Sequence, residues 1–192
     1  MGKNSDNMTS TKKVIFIHGN DTMRWSYGWA PWLKKELDKL HVVNIFETFP
    51  DSIIARRKYW LPFLKDKLRA DKNTILIGHS SGAVAAMRFA EGIILFGSIL
   101  ISPSYTDLGD DLEKQSGYFD DPWQWNKIKK NQSFIALFYS NDDPYIPQRQ
   151  FKYIANKLNP EVFSFKKRGH FINKRFPELL EFVKNKLVLN LS

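Results

Sequence analysis

Six short runs rich in β-branched and aromatic residues recur along the chain: Lys13-Val-Ile-Phe-Ile-His18, Val42-Val-Asn-Ile-Phe46, Thr74-Ile-Leu-Ile77, Ser98-Ile-Leu-Ile101, Ser133-Phe-Ile-Ala-Leu-Phe-Tyr139 and Val162-Phe-Ser-Phe165. Several are continuously apolar rather than alternating. That is the pattern of central strands in a parallel sheet covered on both faces. Parallel neighbours need crossovers, and the intervening segments have helical period. Between the first two runs, Trp29, Trp32, Leu33, Leu37 and Leu40 share one face, with charged residues among them. Further helices are expected over 57–68, where Pro62 interrupts or begins the helix, and over 83–90, 148–158 and 176–187. Pro147 and Pro177 suit helix starts. Strand and helix therefore alternate, which predicts an α/β fold: a doubly wound, mostly parallel six-stranded sheet with helices on both faces.

The 192 residues suffice for one core, and neither a linker nor a repeat divides them. One domain is expected over 12–192, behind a polar, disordered tail over 1–11. The tail lacks the apolar segment of a secretory signal, and no run approaches the ~20 apolar residues of a membrane helix. The chain has no cysteine, which excludes disulfides and thiolate chemistry and fits a cytoplasmic setting. Net charge is +9, but the basic residues are scattered and no nucleic-acid motif accompanies them. Neither a nucleic-acid nor a membrane partner is expected. The stretch Ser102 to Asp121, rich in Ser, Gly and Asp, reads as an irregular connection of functional length.

Chemistry concentrates at Gly78-His-Ser-Ser-Gly82, which fits G-x-S-x-G with a strand before it and a helix after it. A tight strand-to-helix turn exposes the central serine and tolerates only small neighbours. Ser80 is the candidate nucleophile. Ser81 contributes its backbone N–H, and its side chain is expected to matter little. Serine needs a positioned base. Of the four histidines, His79 points away from the turn, His41 opens a strand and His18 ends one. His170, in Arg168-Gly-His-Phe171 after the last strand, can reach back across the sheet edge. For the orienting acid, Asp143 in Asp143-Pro-Tyr-Ile-Pro147 precedes a proline that fixes the backbone, while its neighbour Asp142 reads as a turn residue. The order Ser, Asp, His is that of α/β-hydrolases.

With these residues identified, the chain resembles the retinoblastoma-binding protein nine group of small α/β-hydrolases, which includes YdeN-type bacterial proteins. The likeness spans about Lys12 to Leu187. It is carried by Tyr27-Gly-Trp29, Trp60-Leu-Pro-Phe63, Gly78-His-Ser-Ser-Gly82, Asp107-Leu-Gly-Asp110, Ser116-Gly-Tyr-Phe119, Pro122-Trp-Gln-Trp125, Asp142-Asp-Pro144 and Gly169-His-Phe171. The resemblance implies a serine-hydrolase fold and the triad Ser80, Asp143 and His170. Vertebrate members are named for binding the retinoblastoma protein through Leu-x-Cys-x-Glu. The matching stretch here, Leu68-Arg-Ala-Asp-Lys72, lacks both Cys and Glu, so that partner is not carried over.

The expected reaction is hydrolysis of a small ester, thioester or amide through an acyl-serine. The backbone N–H groups of Ser81 and Asn20 serve the oxyanion, with Asp21 the alternative to Asn20. Neither a metal nor a cofactor is needed. Candidate substrate-binding residues are His79 and the aromatics Tyr105, Tyr118, Phe119, Trp123 and Trp125, which equally suit a covering layer on the core. A different class of function, an interaction module on a hydrolase fold, is the alternative.

Overall fold

The computed structural model describes residues 11–21 and 23–188; the expected tail over 1–11 therefore falls, but for Thr11, outside the described residues. The strands are β1 (Lys13–Ile17), β2 (Val43–Phe46), β3 (Thr74–His79), β4 (Leu95–Ile101), β5 (Gln132–Ser140) and β6 (Glu161–Phe165). They form one sheet in the order β2-β1-β3-β4-β5-β6, and every pairing is parallel. The helices are α1 (Ala30–Lys39), α2 (Arg57–Pro62), α3 (Ser81–Ala90), α4 (Asp111–Ser116), α5 (Trp125–Lys130), α6 (Gln148–Leu158) and α7 (Pro177–Val188).

Successive strand residues point to opposite faces, so each strand feeds two cores. Val14 and Phe16 of β1 pack with Leu33 and Leu37 of α1 and Leu179 and Val183 of α7. Ile15 and Ile17 face the other way, into a cluster with Trp60 of α2, Val84 and Met87 of α3, Ile128 of α5 and Phe151 of α6. This two-faced burial explains why the strands lack polar alternation.

Two elements depart from the sequence reading. The 57–68 helix runs through Pro62 and then widens into a π-helical turn, Phe63–Lys67, closed by Leu68 N–H donating to the Phe63 carbonyl at 2.9 Å. The 102–121 stretch is not wholly irregular, because it contains α4. Asp110 caps that helix by accepting from the N–H groups of Leu112 and Glu113, and Gly117 ends it at φ 76°. A helix this short has no periodic stripe, so only its caps were legible.

The chain leaves β1 for β2 at one edge, then returns to place β3 on the other side of β1. The carboxyl ends of β1 and β3 thus flank a topological switch point, where open α/β sheets form their crevice.

Candidate active site

Ser80 sits between the last residue of β3 and the first of α3, at φ 55° and ψ −124°, a backbone region that L-residues avoid and that is strained for serine. Its N–H donates to the Ile101 carbonyl at 2.9 Å, and its carbonyl accepts from Ala83 and Val84, so the turn is tied to β4 and α3 together. The flanking glycines are there for space. A Cβ on Gly78 would lie 2.4 Å from the Gly82 carbonyl oxygen, and one on Gly82 would lie 2.2 Å from that of Ile17.

Asp143 follows β5 and His170 follows β6. The His170 Nδ1 lies 2.9 Å from Asp143 Oδ2 and 3.1 Å from Oδ1. Because the partner is a carboxylate, Nδ1 carries the proton and Nε2 keeps its lone pair. Asp143 also accepts from the Ser102 hydroxyl at 2.7 Å and from the N–H groups of Tyr145 and Ile146 at 3.0 and 3.1 Å. Burial works against its charge, yet the bonds from His170, Ser102 and Tyr145 outweigh it and hold the carboxyl below the usual range. Asp142 takes a different task. It accepts from the Ser140 hydroxyl and, at 3.0 Å, from Gly169 N–H, pinning the turn that presents His170. The Ser140 bond, chief among these, holds the Asp142 carboxyl below its ordinary range.

His170 lies against the residue beside the serine: its ring centroid is 4.8 Å from that of His79. Among the described residues, no hydrogen bond joins the Ser80 hydroxyl to His170. The side chain of His170 is 10% exposed, and the exposed Tyr145 packs edge-on to it at 5.0 Å.

Of the other histidines, His79 and His18 are buried and hydrogen-bonded within the fold. His79 is 2% exposed, and its Nε2–H donates to the His170 carbonyl at 2.7 Å. Desolvation, then the neighbouring His170, push its pKa down to about 3, so it stays neutral. This corrects its candidacy for substrate binding: its polar edge is engaged and its ring is enclosed. His18 is fully buried, donates from Nδ1 to the Gly19 carbonyl at 2.6 Å and accepts at Nε2 from Phe49 N–H at 2.8 Å. His41 lies in the turn before β2, at φ 55°.

The loop after β1 approaches the elbow closely; a Cβ on Gly19 would be 3.3 Å from that of Ser80. Asp21 N–H is engaged by the Ile53 carbonyl at 2.9 Å. Asn20 extends its side chain to Glu113 of α4, donating from Nδ2 to Oε1 at 2.9 Å, and the Ser81 hydroxyl donates to the same oxygen at 2.7 Å. The Ser81 side chain therefore has a definite partner, contrary to the sequence expectation. Burial raises the Glu113 carboxyl above its ordinary range, against the pull of Ser81 and Asn20. Ser102 and Glu113 were missed because nothing in local spacing ties them to Ser80 or Asp143. The cap pattern Asp110-x-x-Glu113 ahead of Gly117 was the one signal available.

The aromatics of the 102–127 segment mostly take the covering role. Tyr118 is fully buried and so offers substrate no surface, a second correction. Tyr105 stacks on Tyr153 of α6 at 4.0 Å, and Trp123 stacks on Trp125 at 5.2 Å and lies 6.3 Å from Phe119. Trp123 also covers the buried Arg88 guanidinium at 3.7 Å, while Arg88 donates to the carbonyls of Tyr118, Asp121 and Pro122. That network fastens the segment to α3.

No helix among the described residues is long and apolar enough to cross a membrane, and no His, Asp and Glu cluster among them is arranged to hold a metal ion. The described geometry has close relatives. Serine hydrolase RBBP9 of Rattus norvegicus is 42% identical over 184 residues, covering 94% of this chain and 98% of its own. The solved structure of the Bacillus subtilis ydeN gene product superposes with a TM-score of 0.84 at 26% identity, covering 93% of this chain and all of that one. Est1E from Butyrivibrio proteoclasticus shares the fold at a TM-score of 0.73 and 14% identity, over 96% of this chain and 90% of its own. The serine hydrolase family model matches residues 14–181, and with that span and the RBBP9 likeness the chain belongs to the serine hydrolase family.

Proposed function

We propose that the protein hydrolyses a small ester, thioester or amide, with Ser80 as nucleophile, His170 as general base and Asp143 as the group that orients it. The observation that carries this reading is the His170–Asp143 hydrogen bond set against His79, the residue next to the strained Ser80. Ser80 Oγ attacks the acyl carbon while His170 Nε2 takes its proton. The resulting oxyanion is received by backbone N–H groups of Ser81, at the open start of α3, and of Asn20. Asn20 is preferred to Asp21 because the Asp21 N–H already donates to Ile53. Collapse breaks the bond to the leaving group, which departs with the proton from His170. Water, deprotonated by the same imidazole, then attacks the acyl-serine and releases the acid.

The proposal takes residues 12–192 as one hydrolase domain acting on a small molecule in the cytoplasm, a setting that the absence of cysteine favours. A fluorophosphonate probe tests it. The wild-type protein is expected to label and Ser80→Ala to lose the label. A wild-type protein that does not label, as an interaction module would not, or a Ser80→Ala variant that labels equally, overturns the assignment. A panel of p-nitrophenyl esters and aminoacyl amides then identifies the acyl group and separates esterase from amidase preference.

A further inference from the structure

Glu113 stands where the two halves of the oxyanion site meet. One oxygen, Oε1, receives both the Asn20 amide at 2.9 Å and the Ser81 hydroxyl at 2.7 Å. These donors come from separate elements, the loop after β1 and the first turn of α3, and they belong to the two residues whose backbone N–H groups serve the oxyanion. The other oxygen, Oε2, is buried without a hydrogen-bond partner, as is the nearby Tyr118 hydroxyl. Convergence on Oε1 is therefore not an even sharing of donors over a carboxylate. It makes a three-centre junction in which one atom sets the distance between two chain segments.

Oxyanion stabilisation is sensitive to such a distance. A donor works at roughly 2.7 to 3.1 Å from the position of the developing charge, and losing one costs ~10² to 10³ in turnover. Asn20 lies in a connection anchored on either side, where the Gly19 carbonyl meets His18 Nδ1 at 2.6 Å and Asp21 N–H donates to Ile53 at 2.9 Å, while its own carbonyl accepts from Met23 N–H at a long 3.3 Å. On the other side, Glu113 is held from behind: α4 is capped by Asp110, and the chain after it is fastened to α3 by Arg88. A fixed carboxyl thus meets the one residue between two anchored neighbours, and its Oε1 completes the hold on Asn20.

We infer that Glu113 is a positioning residue, whose single oxygen clamps the Asn20 loop to the start of α3 and sets the spacing of the two oxyanion donors. The inference rests on the hydrolase reading above. It extends that reading by giving the 102–121 connection a part in catalysis: α4 acts through Asn20 and Ser81 and touches no substrate.

The test compares Glu113→Ala, Glu113→Gln, Ser80→Ala and an Asn20→Ala/Ser81→Ala double variant. For each, we would measure p-nitrophenyl acetate turnover, affinity for a trifluoromethyl ketone, whose adduct places an oxyanion in the same hole, and the melting temperature. Glu113→Ala is expected to lose about 10- to 100-fold in kcat/KM and an equal factor in ketone affinity. Glu113→Gln keeps an acceptor oxygen and should stay within about threefold of wild type. The double variant keeps both backbone N–H groups but removes both arms of the clamp. It should match Glu113→Ala, and it decides the matter if Glu113→Ala does not fold. The clamp is overturned by wild-type turnover in Glu113→Ala or, where that variant fails to fold, in the double variant. It is equally overturned by a rate loss without weaker ketone binding, or by Glu113→Gln as impaired as Glu113→Ala. Failure of the underlying reading looks different: wild-type protein without turnover, or Ser80→Ala with full turnover, removes both proposals together.

Discussion

Ser102 reaches the site from the end of β4, at φ 48°, fully buried, with its hydroxyl directed at Asp143. Its role follows from how a buried carboxylate is kept charged: each lost donor leaves the charge less compensated, and bonds to charged groups are worth ~1.5–3 kcal/mol. Ser102→Ala leaves the His170, Tyr145 and Ile146 donors in place. We expect a stability loss of about 1–3 kcal/mol by urea unfolding and a fall in kcat/KM of no more than about tenfold, because the imidazole is still oriented. A hundredfold fall would mean that Ser102 does more than support Asp143. That Asp143 rather than Asp142 meets the His170 ring was legible in sequence, since Pro144 and Pro147 fix the turn that follows. Ser102 was not, because its partner lies 41 positions away and only sheet registry brings them together.

At the scale of elements, the strand–elbow–helix unit was the most legible part, because G-x-S-x-G reports a packing constraint. Gly82 packs directly on the end of β1: an added Cβ would meet the Ile17 and His18 carbonyl oxygens at 2.2 and 2.5 Å, and neither backbone group can swing aside. Gly82→Ala should therefore cost at least about 3 kcal/mol or prevent folding. Gly92, just past α3, is exposed and has nothing within 4 Å of its Cβ position, so Gly92→Ala is expected to be neutral or stabilising by up to about 1 kcal/mol. Urea denaturation of both variants checks the contrast, and a well-folded Gly82→Ala would show that helix α3 can shift away from β1. What the sequence concealed were the elements without a periodic face. The wide turn at Phe63–Lys67 comes directly after a proline that keeps helical angles, φ −61° and ψ −39°, so Pro62 does not end the helix and gives no sign in the sequence of the wider turn. Helix α4 is too short for a stripe, and with it went Glu113.

For the whole molecule, the site's architecture carries a consequence for acid stability. The core encloses His79 as a neutral donor to the His170 carbonyl, with a pKa near 3 in the folded chain against an ordinary value of 6.5. Below pH 6.5 the unfolded chain binds a proton there that the folded chain refuses, so stability falls as pH falls from about 6.5 towards 3. Between pH 7 and 5 that single group costs about 2 kcal/mol. The charged and titrating groups around it are His170, Asp143 and His18. Asp143, held below its ordinary value, loses its stabilising effect only as pH drops below about 4. Glu113 acts in the opposite sense, since its raised value means the folded chain takes up a proton first on acidification. Because these contributions overlap, the test is a difference between two proteins. His79→Gln retains an N–H able to reach the His170 carbonyl but cannot titrate. Its urea-unfolding free energy should fall less between pH 7 and pH 5 than that of the wild type, by about 2 kcal/mol. Parallel pH profiles for the two proteins would show that His79 is protonated in the folded state, and would remove the neutral ring on which the placement of the His170 turn depends.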